Sequence, residues 1–168
     1  MSSDRIGGLV IGKVTGVKDK GQLGRIEVTY PWQETPVRQW VPVVAPMAGS
    51  DAGVFFMPNI GDEVVLAFDQ GLFDHPYVLG FLWNAVQKPP STDERQRMIR
   101  SKNGHTIRFV DSTPTAGNKG ALIIEDAVGN TIVMTNSHMT IKSRGALVID
   151  AASVTIGSRV VRMVGPPI

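Results

Sequence analysis

Asp62, Glu63 and Asp69 are the carboxylates whose spacing would suit paired acid–base work or the oxygen ligation of a hard cation. Successive strand residues point to opposite faces, so Asp62 and Glu63 converge only across a bulge. The run Asn59-Ile60-Gly61-Asp62 reads instead as a solvated turn. The three histidines, His75, His105 and His138, stand in different segments without metal-ligand spacing. Cysteine is absent, which removes thiolate ligands, thiol nucleophiles and disulfides together. Neither a Gly-x-Ser-x-Gly elbow nor a phosphate-binding loop occurs. The expectation is a protein that is not an enzyme, with no catalytic residue, no cofactor and no resident metal. His138, beside Met139, is the one position where a threefold axis would gather three imidazoles.

Binding by stacking is the other chemistry on offer, through Trp32, Trp40, Phe55 and Phe56. Single-strand binders pair such rings with a positive groove, whereas Arg25 and Arg38 stand near Glu27 and Glu34. The 17 basic and 15 acidic residues give a net charge of +2 with no run of Lys and Arg to track phosphates. A nucleic-acid or glycan-binding module is therefore the second reading. The rings are expected to be buried in a barrel or in contacts between barrels.

A chain of 168 residues with 42% hydrophobic content can bury a core in one domain or two small ones. Met1 to Ile6 contains no apolar run of signal-peptide length, and nowhere are there eighteen consecutive apolar residues. Synthesis and initial residence in the cytoplasm are expected.

The elements that must position these side chains are strands. Residues 9–17, 24–30, 37–44, 63–69 and 77–83 alternate apolar and polar, with Ile26, Val28 and Tyr30 sharing one face and Val37, Gln39, Val41 and Val43 another. Glycines at 12 and 16 mark a close backbone approach or coiling, and residues 45–58 form a loop carrying the apolar Val54-Phe55-Phe56. Five short strands with no helical period predict a small closed barrel of the OB type over 1–84. Every aromatic residue except Phe109 lies at or before Trp83, and Lys88-Pro89-Pro90-Ser91 follows, so 85–100 reads as a linker.

Strands are expected at 106–110 and 121–125, and beyond them apolar pairs two residues apart recur every seven or eight positions: Ile132 and Met134, Met139 and Ile141, Leu147 and Ile149, Val154 and Ile156, Val161 and Met163. Turn residues separate the pairs without a hairpin signal such as Asn-Gly, which predicts strands winding around an axis rather than folding back. Two inward side chains per strand cannot enclose a core in one chain, so identical copies must close it. Residues 101–168 are thus expected to form an intertwined trimeric β-helix, a β-prism whose core is the ten paired residues. Arg144, Arg159 and Arg162 fall out of phase with the pairs, on a solvated face.

Gly24 to Trp32, Trp40-Val41-Pro42-Val43, Ala48-Gly49, Gly53, Pro58 to Phe68, Gly71, His75-Pro76, Val78-Leu79-Gly80 and Asn84 closely resemble the OB domain of contractile-tail spike proteins. That family includes phage baseplate protein V and the VgrG proteins of type VI secretion. Asn103-Gly104-His105-Thr106-Ile107 and Gly129-Asn130-Thr131-Ile132 are similar to its spike segment, so the resemblance covers nearly the whole chain.

The resemblance implies an all-β trimer: an N-terminal barrel, then a β-helix, serving as the central spike of a phage tail or tail-like particle that helps puncture a target envelope. Only about six residues precede the first strand, so a separate hub protein is expected at the barrel end, contacted through Phe55 and Phe56. The linker has no room for the lysozyme domain of some phage spikes. No His-x-His iron apex is present, and Val164, Gly165, Pro166, Pro167 and Ile168 are expected to dock a PAAR-type tip protein, since two prolines deny further ladder hydrogen bonds. Nucleic acid is not an expected partner, and the membrane is met only during injection.

Overall fold

The computed structural model describes residues 5–112, 117–157 and 159–161, and the chain divides into two units, 1–89 and 90–168. The first unit is a five-stranded sheet built from β1 (Val10–Gly16), β2 (Ile26–Thr29), β3 (Arg38–Val41), β6 (Glu63–Phe68) and β7 (Pro76–Leu82), in the order β3-β2-β1-β6-β7. All four ladders are antiparallel, and register shifts at Val14/Gly16 and Val65/Leu66 are the bulges that let a flat ribbon curl. The curl carries the outer strands to one another: Val44 N–H donates to Val78 O (2.9 Å) and Val78 N–H to Pro42 O (3.0 Å). The result is an OB-like half-barrel whose rim is joined at a single bridge.

Alternation decides which side chains fill it. Val14, Ile26, Val28, Tyr30, Val41, Val64, Leu66, Phe68 and Val78 are buried, while Ile11, Arg38 and Trp40 point out. A methyl group on Gly12 would stand 2.6 Å from Leu66 Cδ1, so the strand admits no side chain where it crosses this core. Tyr30 anchors an aromatic group with Phe73 (5.3 Å) and Phe68 (6.1 Å). Its hydroxyl donates to Gln39 Oε1, and Gln39 Nε2 donates onward to Phe73 O (3.3 Å). Burial pushes the Tyr30 phenol up to about 12.

The expected burial of Trp32, Trp40, Phe55 and Phe56 in the barrel does not hold within a single chain, because Trp32 stands 52% exposed and both phenylalanines are more exposed still. Tyr30, Phe68 and Phe73 already occupy the barrel end. Residues 45–58, expected to be loop throughout, contain a two-stranded ribbon, β4 (Ala48–Gly49) with β5 (Ala52–Gly53).

The second unit is a meander, β8 (Gln96–Arg100), β9 (Thr106–Val110), β10 (Ala121–Glu125), β11 (Thr131–Thr135) and β12 (Met139–Lys142), with each strand antiparallel to the next. β8 lies inside the span read as linker, and it forms because Gln96–Arg100 can satisfy a full ladder against Thr106–Val110. The expectation that 131–142 wind without folding back is corrected: Ile132 faces Ile141 and Met134 faces Met139 across an antiparallel pair. The turn that the sequence hides is held by Thr135, whose backbone N–H and hydroxyl both donate to His138 O (3.0 and 3.1 Å).

Leu147 and Ile149 lie outside any strand and are exposed. A separate ribbon pairs β13 (Val154–Ile156) with β14 (Arg159–Val161). Met163 and the expected docking residues Val164, Gly165, Pro166, Pro167 and Ile168 lie outside the described residues, as does the side chain of Val161.

Candidate functional site

The residues singled out for catalysis stay apart. Asp62 Oδ2 accepts from Asn59 N–H (2.8 Å), closing the turn that leads into β6, while Glu63 begins that strand and Asp69 follows its end. His105 Nδ1 accepts from Ala127 N–H (3.3 Å), and His138 Nδ1 lies 2.9 Å from Ser137 Oγ. Both imidazoles therefore serve local turns. Among the described residues, no group of three His, Asp or Glu side chains could hold a metal ion.

The first unit instead presents an open groove of about 860 Å³, walled by Leu23, Val44, Met47, Phe55, Phe56 and Phe81. Two local devices build it. Gly53, at φ +155°, lets Val54 N–H reach Met47 O (3.0 Å); a methyl group there would sit 2.5 Å from the same oxygen, so only glycine closes the ribbon that leads into Phe55. On the opposite wall, Asp19 accepts from Gly21 N–H (2.9 Å), Leu23 N–H (3.2 Å) and both Nε and Nη2 of Arg25 (2.9 and 3.0 Å). The Arg25 guanidinium holds the Asp19 carboxyl far below the usual carboxylate range.

Arg25 thus pairs with Asp19, six residues before it, rather than with Glu27, whose partner is Arg38 (3.8 Å). Sequence reasoning missed this clamp; its signal was an acid at the head of a Gly-rich turn with Arg at its foot. Phe55 and Phe56 are 74% and 58% exposed, and Asp51 is the one charged residue in the groove's lining. Such a surface takes an apolar partner; it offers a phosphate backbone no cation.

In the second unit, register places side chains in rows. Ile99, Ile107, Ile124, Ile132 and Ile141 stand opposite one another across all five strands, and beside them run Arg97, Phe109, Leu122, Met134 and Met139. Leu122 and Ile132 are half-buried; the other seven apolar members are exposed. The reverse face carries Met98, Arg108, Ile123, Val133 and Thr140 in its central row, with Thr106 and Glu125 nearby. That mixed face is the better shielded one. Thr106 is buried, and Arg108 Nη2 meets Glu125 Oε2 at 3.3 Å.

Residues 10–83 match the profile of the type VI secretion system/phage-baseplate injector OB domain. The first unit is an injector OB domain. The bulges, bridge and groove described above belong to that domain, as does the Asp19–Arg25 clamp.

Curated proteins also align with part of the chain. The chain is 33% identical over 72 residues to the type VI secretion system spike protein VgrG2a of Pseudomonas aeruginosa, covering 40% of the chain and 9% of that protein. It is 34% identical over 74 residues to the actin cross-linking toxin VgrG1 of Vibrio cholerae, covering 41% of the chain and 7% of the relative. Spike protein VgrG1a of Pseudomonas aeruginosa aligns over 99 residues at 29% identity, covering 52% of the chain and 15% of the relative. The chain therefore spans only a small part of the length of these relatives.

Proposed function

We propose that the chain is the structural central spike of a contractile injection particle, either a phage tail or a tail-like device, and that it works as a homotrimer. The observation that carries this reading is the injector OB domain followed by a sheet that exposes its more apolar face. A lone soluble domain does not leave a contiguous apolar face in water, whereas a subunit that closes against its own copies does so until it assembles. The relatives' description as spike proteins agrees with that role.

In this reading the OB domain, 1–84, seats on a hub protein through the groove that presents Phe55 and Phe56. The connecting segment, shortened to 85–95 by β8, leads to a trimeric spike formed by the second unit, with the apolar pairs from Ile132 to Met163 turned toward the axis. The Gly165-Pro166-Pro167 segment takes a small tip protein, because prolines end a strand ladder and leave an edge for another chain to cover. The protein carries load rather than performing chemistry, and it meets a membrane only when the particle discharges.

Mass measured in native buffer tests the reading. Three copies per particle are expected, and a monomer at micromolar concentration overturns it.

A further inference from the structure

We infer that Met47 is a peroxide-sensitive site, and that its oxidation to the sulfoxide closes the OB groove to its partner while the chain is still free of a hub. The inference rests on the hub-docking reading of that groove and adds a chemical control to it. Exposure, backbone anchoring and the polarity of the groove each support it.

Met47 immediately precedes β4, stands 58% exposed and lines the same groove as Phe55, Phe56 and Phe81. Met57 lines the groove too, but it packs against the buried core of the barrel. Thioether oxidation follows access to solvent, so the two sulfurs of one groove differ in susceptibility and Met47 reacts first.

The backbone keeps the altered side chain in place. Met47 O accepts from Val54 N–H (3.0 Å), and Gly53 closes the ribbon with no room for a side chain beside that oxygen. This bond ties Met47 to the ribbon, so a modified side chain stays in the groove wall.

The groove cannot satisfy a sulfoxide. Among the described residues that line it, Gln22 has the one side chain with an N–H to donate, and the charged residue is Asp51, an acceptor like the sulfoxide itself. Against an apolar partner the new oxygen loses water with at most one amide side chain to replace it, and a buried acceptor without partners opposes docking.

The reaction is a two-electron oxygen transfer from hydrogen peroxide. A sulfur lone pair attacks the peroxide, the S–O bond forms as the O–O bond breaks, and the second oxygen leaves as water; sulfur is oxidised and the peroxide reduced. A flexible apolar side chain becomes a polar one. Once a hub covers the groove the sulfur is out of reach, so the control acts before assembly and not after it.

Hydrogen peroxide applied to the full chain, followed by peptide mass mapping, should place the first oxygen added to the OB domain on Met47, ahead of Met57. Capture by the immobilised hub protein of the same particle is then measured before and after peroxide, each variant against its own untreated level. Capture of the unsubstituted chain should fall about tenfold or more on treatment. Met139→Leu should fall as far, because the exposed sulfur it removes belongs to the second unit, whereas Met47→Leu should hold its own untreated level. Methionine sulfoxide reductases should restore capture of the treated chain. Oxidation of Met57 ahead of Met47, an unchanged ratio for the unsubstituted chain, or an equal fall in Met47→Leu overturns this inference, while capture of the untreated chain upholds the docking reading. An untreated chain that captures no hub overturns both.

Discussion

The main sheets of residues 10–83 and 96–142 each have five antiparallel strands, yet they treat their apolar faces in opposite ways. The first sheet is bulged at two places and curls until its rim is bridged at Val43 and Val78, so Ile26, Val28, Val64 and Leu66 pack on one another. The second is a regular meander whose four ladders run without a register shift, and it displays its isoleucine row. Among the described residues, every buried hydrophobic side chain belongs to the first unit, and the one buried residue of the second is Thr106. Aliphatic content does not separate them, since both are rich in Ile, Val and Leu. Curvature does: a sheet that bends around its apolar side is self-sufficient, and one that does not must find a second surface.

The largest effect should come from Ile141→Asp compared with Thr140→Asp, neighbours on β12 that face opposite ways. Ile141 is already exposed in a single chain, so an isolated subunit should tolerate the carboxylate. Three such carboxylates on a dry axis would have no counter-charge, and native mass should fall from three copies to one. Thr140→Asp should keep the assembly; equal behaviour of the two would erase the contrast between the sheets.

In the OB domain the corresponding change is Leu66→Ala. It removes a fully buried side chain and should cost about 2–5 kcal/mol in chemical unfolding, with a midpoint independent of protein concentration. Under the proposed homotrimer reading, unfolding followed through the second unit should instead shift with concentration, because other copies would cover its apolar face.

Phe56→Ser sharpens the difference between self-contact and partner contact. Losing an exposed anchor of the groove should weaken capture of the hub protein by about tenfold or more, as for an interface hot spot, with the trimer mass unchanged.

The smallest effect is a pH dependence in the second unit. Arg95 donates to both oxygens of Asp93 (3.0 and 3.1 Å) and draws its carboxyl down to about 2. A group whose folded pKa lies below its unfolded value of about 3.9 stabilises the fold above that value and loses the contribution as pH falls toward the folded one. Unfolding midpoints of the second unit should therefore decline slightly from about pH 4 to about pH 2, and Asp93→Asn should flatten that slope.

The five OB strands were legible because alternation there coincides with burial: Ile26, Val28 and Tyr30 sit on the face their period gives them. β8 was obscured by Arg97 and Arg100 and by the prolines before it, which read as linker, although its ladder partner at 106–110 was found. The fold-back at 136–138 was illegible for a different reason. Its turn is closed by Thr135 bonding to His138, a three-residue connection with no glycine to announce it.

The pairs Ile132/Met134 and Met139/Ile141 were read correctly as sharing a face, but periodicity says nothing about whether the next strand winds onward or returns. Of the candidate contacts, Phe55 and Phe56 were identifiable as large apolar residues in a loop otherwise rich in Gly, Ala and Pro. Leu23, Val44 and Phe81, which complete the groove with them, meet only after the sheet curls.

The division between a self-sufficient first unit and an unsatisfied second one also orders events during synthesis. Translation completes 10–83 before 96–142, and domains generally fold as units in that order. Each new chain then carries a finished OB domain and a sheet waiting for company. Under the proposed homotrimer reading its maturation is limited by encounter, with a rate that climbs steeply with the number of chains in the cell, while a scarce chain lingers with its isoleucines in water. Clustered translation on one messenger, or a chaperone that shields β8 to β12 until three chains meet, would shorten that interval.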